Sequence, residues 1–164
     1  MQPTGRNQNL RFSLAGLQAG MLASLTMLVW LALTSIWYKR SIWSVPNLLS
    51  STFFGEAAFR AGFGKTTYAG IALHLFLYSV LGVLFGLIVR GSRSRLAVLV
   101  FGLLYGVLWY YVLFGAIWKA LNPLVALYVP NRPMLAGHFL YGAILGRFPS
   151  YRDAITPVPV ELTR

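Results

Sequence analysis

TTYAGIALHLFLYSVLGVLFGLIV, Thr66 to Val89, is a run of 24 residues with no Lys, Arg, Asp or Glu. As a helix rising about 1.5 Å per residue it extends about 36 Å, more than the roughly 30 Å hydrocarbon core of a bilayer. Two further runs have the same character, Phe12 to Tyr38 and Leu96 to Trp118, and a shorter one covers Pro133 to Gly146. These runs predict an integral membrane protein, and that reading governs every other.

Composition agrees. Hydrophobic residues make up 57% of the 164-residue chain and charged residues 10%, and the mean hydropathy is +0.66. A soluble domain of this length cannot hide that much apolar surface. The chain is expected to form one membrane domain, residues 1–164, with helices over 14–37, 68–89, 96–118 and 134–148 and a tail over 149–164. The fold class is all-α: a four-helix bundle in the membrane. The net charge of +11 does not indicate nucleic acid, because the basic residues flank the apolar runs, where Lys and Arg border membrane spans. Cysteine is absent, which excludes disulfides and thiolate metal sites. The first run follows Arg6 and Arg11 as a signal peptide would. It is, however, nearly twice the length of a signal core, about 7–15 residues, and reads as a retained anchor helix.

Between the runs, Pro46 suits the first turn of a helix. Leu49, Phe53 and Ala57 recur every four residues beside Glu56 and Arg60. This pattern predicts an amphipathic helix lying in the interface plane, inside the long first loop. Asn122-Pro123 to Pro130 is a second such segment or a re-entrant turn. Pro149 is expected to end the fourth helix, and the tail with Pro157-Val158-Pro159 to be extended. Four spans place both termini on one side, with Arg6, Arg11, Arg90, Arg93, Arg95, Arg147, Arg152 and Arg164. Lys39, Arg40, Arg60, Lys65, Lys119 and Arg132 fall opposite. The short loop from Arg90 to Arg95 holds three arginines, and short basic loops stay inside. Both termini are therefore expected to be cytoplasmic.

The landmarks recur. Gly16-Leu17, Gly20 and Leu22 return as Gly102-Leu103, Gly106 and Leu108, and Ile36-Trp37 returns as Ile117-Trp118. His74 followed by Leu81-Gly82 returns as His138 followed by Leu145-Gly146. Two parallel helix-pair repeats follow, related by an axis along the membrane normal. Pairs of glycines four apart (Gly16/Gly20, Gly82/Gly86, Gly102/Gly106, Gly142/Gly146) are close-packing faces for helices in lipid.

His74 and His138 are the ionisable side chains placed within the apolar runs, and at matching positions of the repeats they are expected at similar depth. Gly70, His74, Tyr78 and Leu81 share one helix face, and Met134, His138, Tyr141 and Gly142 share another. A small residue one turn from each imidazole leaves room for a haem b or chlorin ligated by His74 and His138. Tyr78, Tyr141 and Trp109 would then line the pocket. The same histidines serve as well in hydrogen bonds to tyrosine or backbone. Trp109 to Tyr111 offer either helix packing or a flat wall for a quinone, carotenoid or macrocycle. Trp37, Trp43 and Trp118 read as an interfacial belt.

Gly62-Phe63-Gly64-Lys65-Thr66-Thr67 has the outline of a phosphate loop, but Phe59 stands where the first glycine belongs, so a turn at headgroup level is expected. The acidic residues Glu56, Asp153 and Glu161 lie outside the runs. No carboxylate pair or Ser-His-Asp set can form within the membrane, and no carboxylate is placed for proton-coupled transport.

Ala15-Gly16-Leu17 with Gly20, Trp43-Ser44-Val45-Pro46-Asn47, and Gly137-His138 through Leu145-Gly146 carry a resemblance to small four-helix bacterial inner-membrane proteins. That resemblance covers Leu14 to Phe148. It implies the topology and a bacterial inner membrane, and no activity. The expected function is non-enzymatic, an accessory or scaffold subunit contacting lipid and other membrane chains. The alternatives are a haem b or chlorin subunit and a small permease.

Overall fold

The charge-free runs fold as helices. The computed structural model describes residues 5–92 and 94–155, and all regular structure among them is helical. Arg93, Arg164, Glu161 and the Pro157-Val158-Pro159 tail lie outside the described residues. In chain order the helices are α1 (Gly5–Trp37), α2 (Ser44–Phe54), α3 (Glu56–Phe59), α4 (Lys65–Ile88) and α5 (Arg95–Val112). A π-helical turn (Leu113–Ile117) leads to α6 (Trp118–Leu121), α7 (Pro123–Tyr128), α8 (Asn131–Leu145) and α9 (Phe148–Ile155). Three helical stretches are long and apolar enough to cross a membrane: Gln8–Trp37, Lys65–Ile88 and Arg95–Leu121. The 15 residues of α8 rise about 22 Å.

Helix α1 is the spine. Ala15, Ala19, Ala23, Met27 and Leu31, spaced by four, form a stripe at most 2% exposed, and α1 packs against both α4 and α8. Helix α8 in turn carries α5, and α9 folds back onto α1. In two helix pairs, α1–α4 and α5–α8, glycine meets glycine. A Cβ on Gly16 would lie 2.5 Å from the Gly82 carbonyl oxygen, and one on Gly102 would lie 2.5 Å from that of Gly142. The outward faces are apolar at the same spacing: Phe76, Val80, Leu84 and Ile88 on α4, and Leu96, Val100, Leu104 and Leu108 on α5. This inverts the pattern of a surface helix in water, where the outer face is polar.

Several sequence expectations are corrected. Helix α1 begins at Gly5 instead of Leu14, because Arg11 ends the apolar run without ending the helix. It stops with Lys39 at φ 53°, where Arg40 N–H donates to the Ser35 carbonyl (2.8 Å) and Lys39 N–H to that of Ile36 (2.9 Å), a Schellman closure. Helix α4 begins at Lys65, three residues early, where the Gly64 N–H donates to Thr67 Oγ1 (3.2 Å). The third run bends into its π turn before Trp118. That indole is 4% exposed and belongs to the interior, not to an interfacial belt.

The first loop does not form one continuous amphipathic helix. Gly55, at φ 70°, breaks it after Phe54, so Leu49, Phe53 and Ala57 share no continuous face. Instead α2 is buried from Val45 to Ser51 and packs on α4, with the Pro46 carbonyl seated where a side chain on Gly70 would stand. The fourth helix is α8, Asn131–Leu145, not 134–148. Pro149 does not end it: the proline is the second residue of α9, where the missing N–H has no helical partner to lose. The first part of the tail is thus helical, and Arg152 donates to the Ser92 carbonyl (2.9 Å).

Candidate functional site

The period of α4 turns Gly70, His74, Tyr78 and Leu81 inward, and that of α8 turns Met134, His138, Tyr141 and Gly142 inward; all eight are buried. His138 lies within hydrogen-bond distance of the Met134 carbonyl through Nδ1 (2.8 Å) and of the Tyr78 hydroxyl through Nε2 (2.9 Å). A carbonyl only accepts, so Nδ1 carries the proton, Nε2 is the bare nitrogen, and the Tyr78 O–H donates to it. His74 Nε2–H donates to the Ser24 carbonyl of α1 (3.2 Å). The Tyr78 ring lies between the imidazoles, 4.4 Å from His74 and 5.5 Å from His138 between centroids.

Tyr141 O–H donates to the Tyr78 carbonyl (2.6 Å), and Tyr105 O–H donates to that of Leu81 (2.8 Å). Tyr105 is a member of this network that the sequence reading passed over. Its place three residues after Gly102, on the glycine face of α5, is the signal present in the sequence. Trp109 makes its ring contact with Tyr105 (6.0 Å) and with neither histidine. Its indole N–H is buried without a hydrogen bond of good geometry. Tyr110 and Phe114 pack edge-on to His138, while Tyr111 faces outward.

The histidines stand differently relative to the glycine contacts. Gly82 meets Gly16 and Gly20, and Gly142 meets Gly102 and Gly106. The glycine docked in this way, Gly82 or Gly142, lies eight residues after His74 but four after His138.

This arrangement does not fit a haem or chlorin between His74 and His138. Both nitrogens of His138 are engaged, and the Tyr78 phenol fills the gap between the rings. The room beside Gly70 and Gly142 is taken by the backbones of α2 and α5. The cavity bordered by His74, Tyr78, Phe114 and Trp118 holds about 10 Å³, at or below what one water requires, about 10–15 Å³. The network can do something else well: it cross-links α1, α4, α5 and α8 through side-chain bonds to carbonyls inside an apolar bundle. Tyr78→Phe is expected to leave Nε2 of His138 without its donor and to cost about 1–2 kcal/mol. The check is reversible unfolding in mixed micelles; an unchanged midpoint would show that the bond carries no stability.

A second polar cluster was also missed. Asn47 Nδ2 donates to the Ala61 (2.7 Å) and Gly62 (3.2 Å) carbonyls, and its Oδ1 accepts from Thr67 Oγ1 (2.8 Å). Asn122 Nδ2 donates to Ser51 Oγ (2.8 Å) and Thr52 Oγ1 (3.0 Å). The signal was an asparagine next to proline in each connection, Pro46-Asn47 and Asn122-Pro123.

No protein-family model, curated protein or solved structure matches this chain.

Proposed function

We propose that the chain is a non-enzymatic subunit of a larger membrane assembly, a helical scaffold that other membrane chains pack against. The observation that carries this reading is the closed interior. Both buried histidines and Tyr78, Tyr105 and Tyr141 each make a bond to another helix, and the space beside them admits no substrate. The apolar faces of α4 and α5 point outward instead.

In this reading α1, α4, α5 and α8 all cross the membrane, as two parallel repeats α1–α4 and α5–α8. The equivalent glycine dockings support the duplication, with α2–α3 and α7 as the corresponding connections. Both ends lie on the cytoplasmic side of a bacterial inner membrane, which the arginines between α4 and α5 support. A single cysteine at Ser92 should then resist an impermeant maleimide in intact spheroplasts and one at Ser41 should react. The reverse pattern would invert the orientation.

The assembly is tested with the outward α5 face. Leu104→Ala, Leu108→Ala and Tyr111→Ala together should release stoichiometric co-eluting membrane chains in mild detergent while helicity and melting stay unchanged. A chain that elutes alone in lipid nanodiscs before any substitution would overturn the proposal.

A further inference from the structure

A groove of about 400 Å³ opens along the flank between the end of α1 and the start of α8, lined by Trp30, Leu33, Thr34, Trp37, Tyr38, Arg132, Pro133 and Ala136. This is within the range of small-molecule sites, about 300–1,000 Å³. Its floor is pinned, because the Trp30 indole N–H donates to the Pro133 carbonyl (2.8 Å). Thr34 donates its hydroxyl to the Leu31 carbonyl (3.0 Å), so its proton is already used within α1. The walls are therefore apolar and the one formal charge is Arg132 at the rim.

Arg132 has no acidic partner among the described residues: Glu56 is paired with Arg60 and Asp153 with Arg152. Beside it, Trp37 and Tyr38 are exposed at the end of a membrane-length helix, where aromatic side chains occupy the headgroup level. The elements stand in the order of an amphiphile: an apolar slot open to the side, an aromatic collar, then the Arg132 guanidinium, able to bind phosphate oxygens in two-pronged fashion. We propose that this groove is a binding site for one anionic phospholipid, an acyl chain in the slot and the headgroup phosphate on Arg132. The inference shares the membrane placement of the preceding section but does not depend on other chains being bound.

The test is native mass spectrometry of the full chain released from detergent, titrated with phosphatidylglycerol or phosphatidylcholine. The wild type should retain one lipid and favour phosphatidylglycerol by roughly five-fold, the effect of one basic residue near the surface. Arg132→Gln, at an exposed position, should reduce that preference to about one while zwitterionic lipid is still held. Ala136→Phe, which fills the slot, should lose both. If either substitution unfolds the chain, Leu33→Trp tests the same slot from the opposite wall. An unaltered preference in Arg132→Gln, undiminished lipid in Ala136→Phe and Leu33→Trp, or a second copy of the chain in place of lipid would each overturn the proposal. If the assembly reading fails, the lipid would still be retained by the isolated chain, so the two failures are distinguishable.

Discussion

Gly82→Ile is expected to pull α4 away from α1 and to cost about 3 kcal/mol or more, at or beyond the upper end for overpacking. A Cβ at that position would lie 2.5 Å from the Gly20 Cα, 2.6 Å from the Gly16 carbonyl oxygen and 2.9 Å from the Gly20 nitrogen. All three are backbone atoms, so no side chain can swing aside; the helices must separate. Separation also removes the close approach that lets His74 reach the Ser24 carbonyl. Unfolding in mixed micelles measures the loss, and the paired control is Gly115→Ala, where an added Cβ meets nothing within 4 Å. Equal stability of the two variants would mean that the α1–α4 glycine contact does not hold the bundle together.

Asn47→Leu should have an effect of similar size, about 3 kcal/mol, since three hydrogen bonds worth about 1 kcal/mol each disappear together. The Asn47 side chain is 1% exposed, so no water stands ready to replace it. The Ala61 and Gly62 carbonyls and the Thr67 hydroxyl lose a common partner, and residues 60–64 lose their tie to α2. Trypsin should then cut after Arg60 much faster than in the wild type, with the long helices still protected. Cleavage at the wild-type rate would show that the loop is held by something other than Asn47. Thr67→Val, which removes the bond to Asn47 and the Gly64 N–H bond to the same hydroxyl, should fall between the wild type and Asn47→Leu, at about 2 kcal/mol.

The two experiments probe different kinds of contact. The glycine pair is a contact of shape, in which stability comes from what is absent at Cα. The asparagine is a contact of polarity, in which an apolar interior makes each lost partner costly. Both bear on the proposed scaffold role, because a rigid interior is what lets the outward faces hold a fixed arrangement for neighbouring chains.

The inward faces of α4 and α8 were legible because a helix repeats every 3.6 residues: Gly70, His74, Tyr78 and Leu81 share a face wherever that helix lies. Tyr78, Tyr141 and the two histidines were thus nominated together, and the structure does bring them together. Trp109 was nominated with them and stands apart, because aromatic content does not tell which neighbour a ring meets. The role of α2 was illegible for a local reason. Ser50 and Ser51 are polar and yet buried, because their hydroxyls donate to the Asn47 (2.8 Å) and Leu48 (2.6 Å) carbonyls of their own helix. A serine that has satisfied itself can be buried, so polarity along the chain does not report exposure. Likewise Pro149 reads as a helix stop until a turn at Gly146-Arg147 makes it a helix start.

By itself the sequence determined where the long helices run, which faces are apolar, where glycines permit close approach, and that acidic groups are missing from the spans. These depend on length, period and composition along one helix. Only the tertiary structure decided that α2 is buried on α4, that His138 binds Tyr78, and that the space beside Gly70 and Gly142 is filled. Those outcomes depend on the axial register between helices, and a slide of one turn, about 5.4 Å, exchanges every partner without changing any helix.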